Sequence, residues 1–269
     1  MSIVTISRGS HCYGTEIAEK VARKLGFECI SREILLDASR DYHVPEVKLI
    51  KAIHDSPSFL DRLTLGKKRY ITYIQTELLK HLNRDNIVYH GLAGHFFVRD
   101  ISHVLKVRVI ADHEDRIKLV MGRDHVSEKE AVKLLERDDA ERKKWGLALY
   151  NIDTTDPSLY DLVLRIRKFS VDDAVDIICR SVQLKQFQTT ADSKQKLADI
   201  LLASRVRSIL IDIAAIRDIS AAEGVVYVSL EGHALQLDEL HTLIRKKIFD
   251  EVGFSEVKFE SIITGGLAD

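Results

Sequence analysis

Apolar positions follow two spacings along the chain, and their alternation predicts a fold class. Short runs rich in β-branched residues at 2–6, 27–30, 86–90, 104–111 and 160–166 read as strands. Between them apolar residues recur three and four apart. That spacing predicts helices over 15–25, 32–40, 46–54, 67–82, 114–122, 128–150 and 171–184. Ile17, Val21, Ala22 and Leu25 form one face of the first, and Gly26 stops it. Ile71, Ile74, Leu78, Leu79 and Leu82 share a face of the fourth. Ser127 with Glu130 is a capping box opening the long sixth helix. Strands alternating with helices imply a parallel sheet covered on both faces, an α/β domain over residues 1–185.

The pattern changes at 185–195 (KQFQTTADSKQ), which is polar and aperiodic, and residues 186–195 read as a linker. Beyond it come a helix near 197–211, a strand at 224–231, a helix at 237–252 and a strand at 256–262. This predicts a small α+β domain over 196–269 with an antiparallel-capable strand pair.

Hydrophobic residues at 45% and charged residues at 30% leave room for a real core, so a disordered chain is excluded. A net charge of −1 supplies no global field to recruit nucleic acid or an anionic membrane. Phosphate binding must therefore come from local Arg and Lys clusters. The three cysteines, Cys12, Cys29 and Cys179, are odd in number and widely spaced, which points to free thiols in a reducing compartment. No apolar run approaches the ~18 residues that span a bilayer, and the chain enters a strand without a secretion signal. The expectation is a cytoplasmic protein with no integral membrane segment.

Chemistry concentrates first at Arg8, Gly9, Ser10, His11, Cys12, Tyr13, Gly14, Thr15 and Glu16. A strand, a glycine-containing turn and a helix start make an anion site, because first-turn amides lack intrahelical partners and the helix dipole favours negative charge. Gly9 and Gly14 have the spacing of the first two glycines in G-x-x-x-x-G-K-[ST], yet Thr15 and Glu16 stand where Lys and Ser/Thr would follow. Alone, the pattern fits a plain strand–turn–helix corner equally well.

Ser7-Arg8 after a strand, followed by Gly14-Thr15-Glu16-Ile17-Ala18, resembles the cytidylate-kinase-like family of P-loop proteins. That family lacks the usual lysine and reads S-R-E-Y-G-S-G-G-R-E-I-A here. Residues 86–98 are similar to its strand ending in Gly-Arg, 105–123 to its next strand and helix, 127–142 to its lid, and 157–164 to its last strand. The resemblance covers residues 1–183. It implies a P-loop nucleotide-kinase-like parallel sheet flanked by helices, ATP and Mg²⁺ as cofactors, and a nucleotide and small-molecule acceptor as partners. Three departures remove glycine or positive charge. His11, Cys12 and Tyr13 replace the Gly-rich loop positions, Leu92 replaces the Arg of Gly-Arg, and Thr15 replaces the Arg before the loop Glu.

The resemblance makes Arg116, Arg123, Arg137, Asp139 and Arg142 the catalytic candidates: guanidinium groups to neutralise the transferring phosphoryl group, with Asp139 orienting them. Arg137 and Arg142 are five apart and diverge by about 140° on an ideal helix. The bland alternative is a solvated helix with i,i+4 pairs such as Asp138–Arg142. Glu16 stands where a Thr usually touches Mg²⁺, or it simply complements the helix dipole, and no metal ligand is assigned. Asp112 reads as an N-cap, and Trp145 with Tyr150 as a base cover or a lid anchor. Cys12 reads as a thiol that a helix start would activate.

Residues 197–261 resemble a BON-type domain through GVVYVSLEG, the following helix and the Val252-Gly253-Phe254 turn. This implies binding or regulation through residues 196–269, as a homo-oligomer or with a regulatory partner, or else a stabilising appendage. The leading expectation is a kinase transferring phosphoryl from ATP to a nucleoside monophosphate or related small acceptor. The alternative is a catalytically weak or inactive nucleotide-binding regulator signalling through the C-terminal domain. A pure scaffold is the third reading.

Overall fold

In the computed structural model the described residues are 2–9, 11–31, 33–54, 65–91, 94–150, 152–253 and 256–263. Ser10, Leu92, Phe254 and the side chains of Arg8, Trp145 and Tyr150 lie outside them. The chain runs β1 (Ile3–Arg8), α1 (Gly14–Leu25), β2 (Glu28–Ile30), α2 (Glu33–Asp41), α3 (Glu46–His54), α4 (Leu65–Leu82), β3 (Ile87–His90), α5 (Gly94–Phe97) and β4 (Val104–Ala111). It continues through α6 (His113–Asp124), α7 (Glu128–Tyr150), β5 (Leu162–Ile166), α8 (Val171–Val182) and α9 (Ala191–Leu210). The last elements are β6 (Ile216–Ala222), β7 (Val225–Gly232), α10 (Ala234–Val252) and β8 (Val257–Ile263).

The first sheet has the order β2-β3-β1-β4-β5 with every pair parallel, as the strand–helix alternation predicts. Successive side chains of a strand face opposite sides, and β1 feeds two cores. Val4 and Ile6 pack with Ile17, Val21 and Ile178 beneath α1 and α8. Ile3 packs with Leu78, Leu79 and Ile87 beneath α4. The chain leaves β1 towards β2 and leaves β4 towards β5, so a crevice opens at the carboxyl ends of these neighbouring strands, where such sheets gather ligands.

Two expectations about the C-terminal part need correction. The segment read as a linker is built into the fold. Thr190 caps α9 in a reciprocal pair with Ser193, and Thr189 Oγ1 donates to Asp85 at 2.9 Å. The first turn of α9 is polar, so apolar spacing alone starts this helix six residues late. The second correction concerns β7, which pairs in parallel with β8; its antiparallel partner is β6. A register shift between Ile216 and Asp218 breaks the period-2 pattern that would have revealed β6.

α9 belongs to two cores. Leu197, Ile200 and Leu201 pack with the α4 side of the first sheet, while Val206 and Leu210 pack under the second sheet with Val226, Val228 and Ile244. No helix among the described residues is long and apolar enough to cross a membrane.

Candidate active site

β1 brings Ser7 to the crevice, and a tight turn reverses the chain into α1. The turn is pinned to β4. Gly9 N–H donates to the Val109 carbonyl at 3.2 Å, and Cys12 Sγ donates to the Gly9 and Val109 carbonyls at 3.0 and 3.1 Å. His11 and Tyr13 sit at φ 54° and 49°. A side chain in this left-handed region costs about 1–2 kcal/mol, and the resembled loop has glycine at both positions. Here packing holds the curvature instead, with Tyr13 leaning on the core under α1. The N-cap residue Tyr13 makes no side-chain cap bond, and the amides of a first helical turn, which have no intrahelical partner, suit an anion.

Across from this loop, α6 and α7 supply the far wall of a cleft of about 380 Å³. Gly9 and Cys12 line one side, and Arg116, Asp139, Arg142 and Lys143 the other. Arg116 Nη2 lies 2.8 Å from each carboxylate oxygen of Asp139. Arg116 is largely buried, so the pairing fixes its guanidinium at the cleft edge. Arg123 and Arg137 are not brought in. Arg123 pairs with Asp124 at 2.6 Å and Arg137 with Asp138 at 3.3 Å, both on the exposed surface. The five-residue spacing explains why Arg142 faces inward while Arg137 does not.

Other candidates resolve into structural parts. Asp138 meets Arg137 and, at 3.5 Å, His11 Nε2, instead of the expected Arg142. Burial, and after it Arg123, pulls the His11 pKa down against the effect of Asp138. Glu16 pairs with Lys20 at 3.1 Å, away from the cleft lining. Asp112 occupies the N-cap of α6 but its side chain makes no cap bond. It pairs instead with Arg165 and Arg167, the Arg165 contact chiefly holding its carboxyl below the usual range.

The cleft floor carries a constellation that motif spacing alone does not reveal. Tyr160 Oη lies 2.9 Å from the Thr154 carbonyl oxygen, 3.2 Å from Ser7 Oγ and 3.2 Å from His95 Nε2. It accepts from Arg108 Nη1 at 3.2 Å, and Arg108 Nη1 also donates to the Thr154 carbonyl. Ser7 and Arg108 are register partners on β1 and β4, so both face the same side of the sheet. The signal was present in VLKVRVIA: Leu105, Val107 and Val109 enter the core, while Lys106 and Arg108 alternate with them. A strand covered on both faces places charge on one of them only where a site or partner receives it. Gly146 completes the wall, since a Cβ there would come within 2.8 Å of the Ile152 carbonyl oxygen and Thr154 Cγ2 as that segment crosses α7.

The sequence profile of the cytidylate kinase-like family matches residues 3–168. The chain belongs to the cytidylate kinase-like family. Relatives include the cytidylate kinase of Sulfolobus acidocaldarius, 26% identical over 178 residues, spanning 65% of this chain and 91% of that protein. Another is the cytidylate kinase of Archaeoglobus fulgidus, 28% identical over 191 residues, spanning 69% and 97%. An uncharacterized protein from Eubacterium ventriosum shares the fold with a TM-score of 0.54 at 21% identity, covering 67% of this chain and 97% of its own. These matches stop short of the second sheet.

Electrostatics in this cytidylate kinase-like cleft give two tests. Burial, with Arg108 and Lys106 adding to it, pushes His95 down to about 3. Below its ordinary value of 6.5 the unfolded chain takes up a proton that the folded one refuses. Stability therefore falls as pH drops from 6.5 towards 3, by on the order of 2 kcal/mol at pH 5 from this residue. Urea midpoints at pH 7 and pH 5 should differ less in His95→Gln than in the parent; an unchanged difference would remove His95 as the cause.

The second test concerns the thiols. Cys12 is 1% exposed and Cys179 4%, while burial pushes Cys29 up to about 11. Cys12 is thus a buried hydrogen-bond donor, not the activated thiol that its place at a helix start suggests. At pH 7.5 the native protein should react slowly with Ellman's reagent and the denatured chain at once with all three thiols. Rapid native labelling at Cys12 would contradict this.

Proposed function

We propose that the protein is a nucleoside monophosphate kinase that transfers the γ-phosphoryl group of ATP to a nucleoside monophosphate or a related small acceptor. The observation that carries this is the convergence of the loop before α1, through Gly9 and Cys12, with Arg116, Asp139 and Arg142 across one cleft. In the transfer, the bond from the γ-phosphorus to the β–γ bridging oxygen breaks as an acceptor oxygen attacks in line, and ADP leaves. Arg116, held by Asp139, and Arg142 offset the charge on the equatorial oxygens of the transferring group, while α1 amides hold the donor phosphates. Mg²⁺, carried on ATP, would supply positive charge at the donor phosphates.

A coupled ADP-release assay over CMP, UMP, AMP and GMP tests the reading, with turnover of at least one expected. ATP binding without release for any acceptor would favour the regulator reading, to which the packing of α9 against α4 gives a physical route. In the C-terminal part, β7 leads through a turn into α10 and past Gly253 to β8. That order supports the BON-type resemblance and a binding role for the second sheet.

A further inference from the structure

We propose that Arg108 is a specificity-determining residue of this cleft, the group that holds the phosphate of the acceptor. This rests on the kinase reading above and deepens it.

The sequence places Leu92 where the resembled family has an arginine beside Gly91, so this segment carries one guanidinium fewer. Gly91 lines the same cleft as Arg108. Arg108 rises from β4 at the register of Ser7, just before the phosphate loop begins, and so lies on the floor between the loop and α5. Its neighbours along the wall are already matched to carboxylates, Arg116 to Asp139 at 2.8 Å and Lys143 to Asp153 at 3.2 Å. Arg108 instead meets neutral oxygens, the Thr154 carbonyl and the Tyr160 hydroxyl, and lies 5.5 Å from the Tyr160 ring centre. Among the described residues no carboxylate pairs with it.

A guanidinium has five N–H donors in a planar fork. One nitrogen is occupied with the two neutral acceptors, which fixes the plane and leaves the other donors for a ligand. An unmatched cation in a partly desolvated cleft attracts an anion strongly, and a phosphomonoester dianion matches the fork. Donor phosphates at α1 and an acceptor phosphate on Arg108 would share the cleft whose facing wall carries Arg116 and Arg142.

The test compares CMP with cytidine by isothermal titration, and turnover by ADP release, in the full-length parent and in Arg108→Gln. Gln retains an amide donor for the Thr154 carbonyl, and Arg108→Lys, which keeps the charge without the fork, serves as a second variant. The parent should bind CMP more tightly than cytidine. Arg108→Gln should lose about 10- to 100-fold in CMP affinity, with cytidine and ATP affinities and the melting temperature unchanged and Arg108→Lys intermediate. Equal CMP affinity in the parent and Arg108→Gln, or equal binding of CMP and cytidine by the parent, overturns the proposal. Failure of the kinase reading is a different result: no ADP release by the parent with any acceptor.

Discussion

Replacing Arg116 by Gln should lower kcat about 10³-fold in the ADP-release assay while the melting temperature stays near that of the parent. Arginines that neutralise a transferring phosphoryl group contribute on this scale, because phosphoryl transfer relies almost wholly on positioning and charge. The guanidinium lines the cleft and pairs with the part-exposed Asp139, so its removal widens the cleft and opens no core cavity. Asp139→Asn should fall between, at about 10²-fold, since it leaves the cation present and frees its orientation. KM for ATP should move much less than kcat in both variants. A loss below about threefold in Arg116→Gln would place this group outside the transition state and leave Arg142 to be tested in its place.

The second large effect is on folding. Deleting residues 186–269 should abolish a cooperative unfolding transition, although the family match itself ends at residue 168. The deletion strips Leu197 from the core beneath α4 and leaves the buried Thr76 hydroxyl without its 2.7 Å partner, Ser204. Tyr42, whose ring stacks on Tyr73, also loses its 3.4 Å contact to Ser208. Point variants separate these contributions. Leu197→Ala should cost about 2–5 kcal/mol. Ser204→Ala should cost only about 0.5–1.5 kcal/mol, because Thr76 Oγ1 keeps its 2.8 Å bond to the Thr72 carbonyl, and Thr76→Val in the same chain should recover little of it. Equilibrium denaturation monitored by circular dichroism reads all three. A soluble, cooperatively folding fragment 1–185 would show that the first sheet stands without α9.

The parallel sheet and most helices were legible because their signal is local. Val104–Ala111, Glu46–His54 and Glu128–Tyr150 have the bounds that the residue pattern gives. β6 was hidden by a bulge, and the start of α9 by a polar first turn whose cap uses Ser193 in the place Glu or Gln usually fills. The candidate site was half legible. The loop and the lid carry order along the chain, so Gly9, Cys12, Arg116, Asp139 and Arg142 could be singled out and do meet in the cleft. Arg108, His95, Thr154 and Tyr160 come from separate elements, and only register and packing bring them together. Arg137 lies on the surface because it stands about 140° round α7 from Arg142, and Arg123 pairs with Asp124 on the exposed side of α6.

The bend before α1 has a thermodynamic consequence. A glycine-rich turn samples many shapes and is narrowed to one only when its anion arrives, whereas the side chains of His11 and Tyr13 restrict the shapes open to theirs. Capture of a nucleotide should then be opposed by less ordering entropy, and the strain would appear as lower resting stability instead.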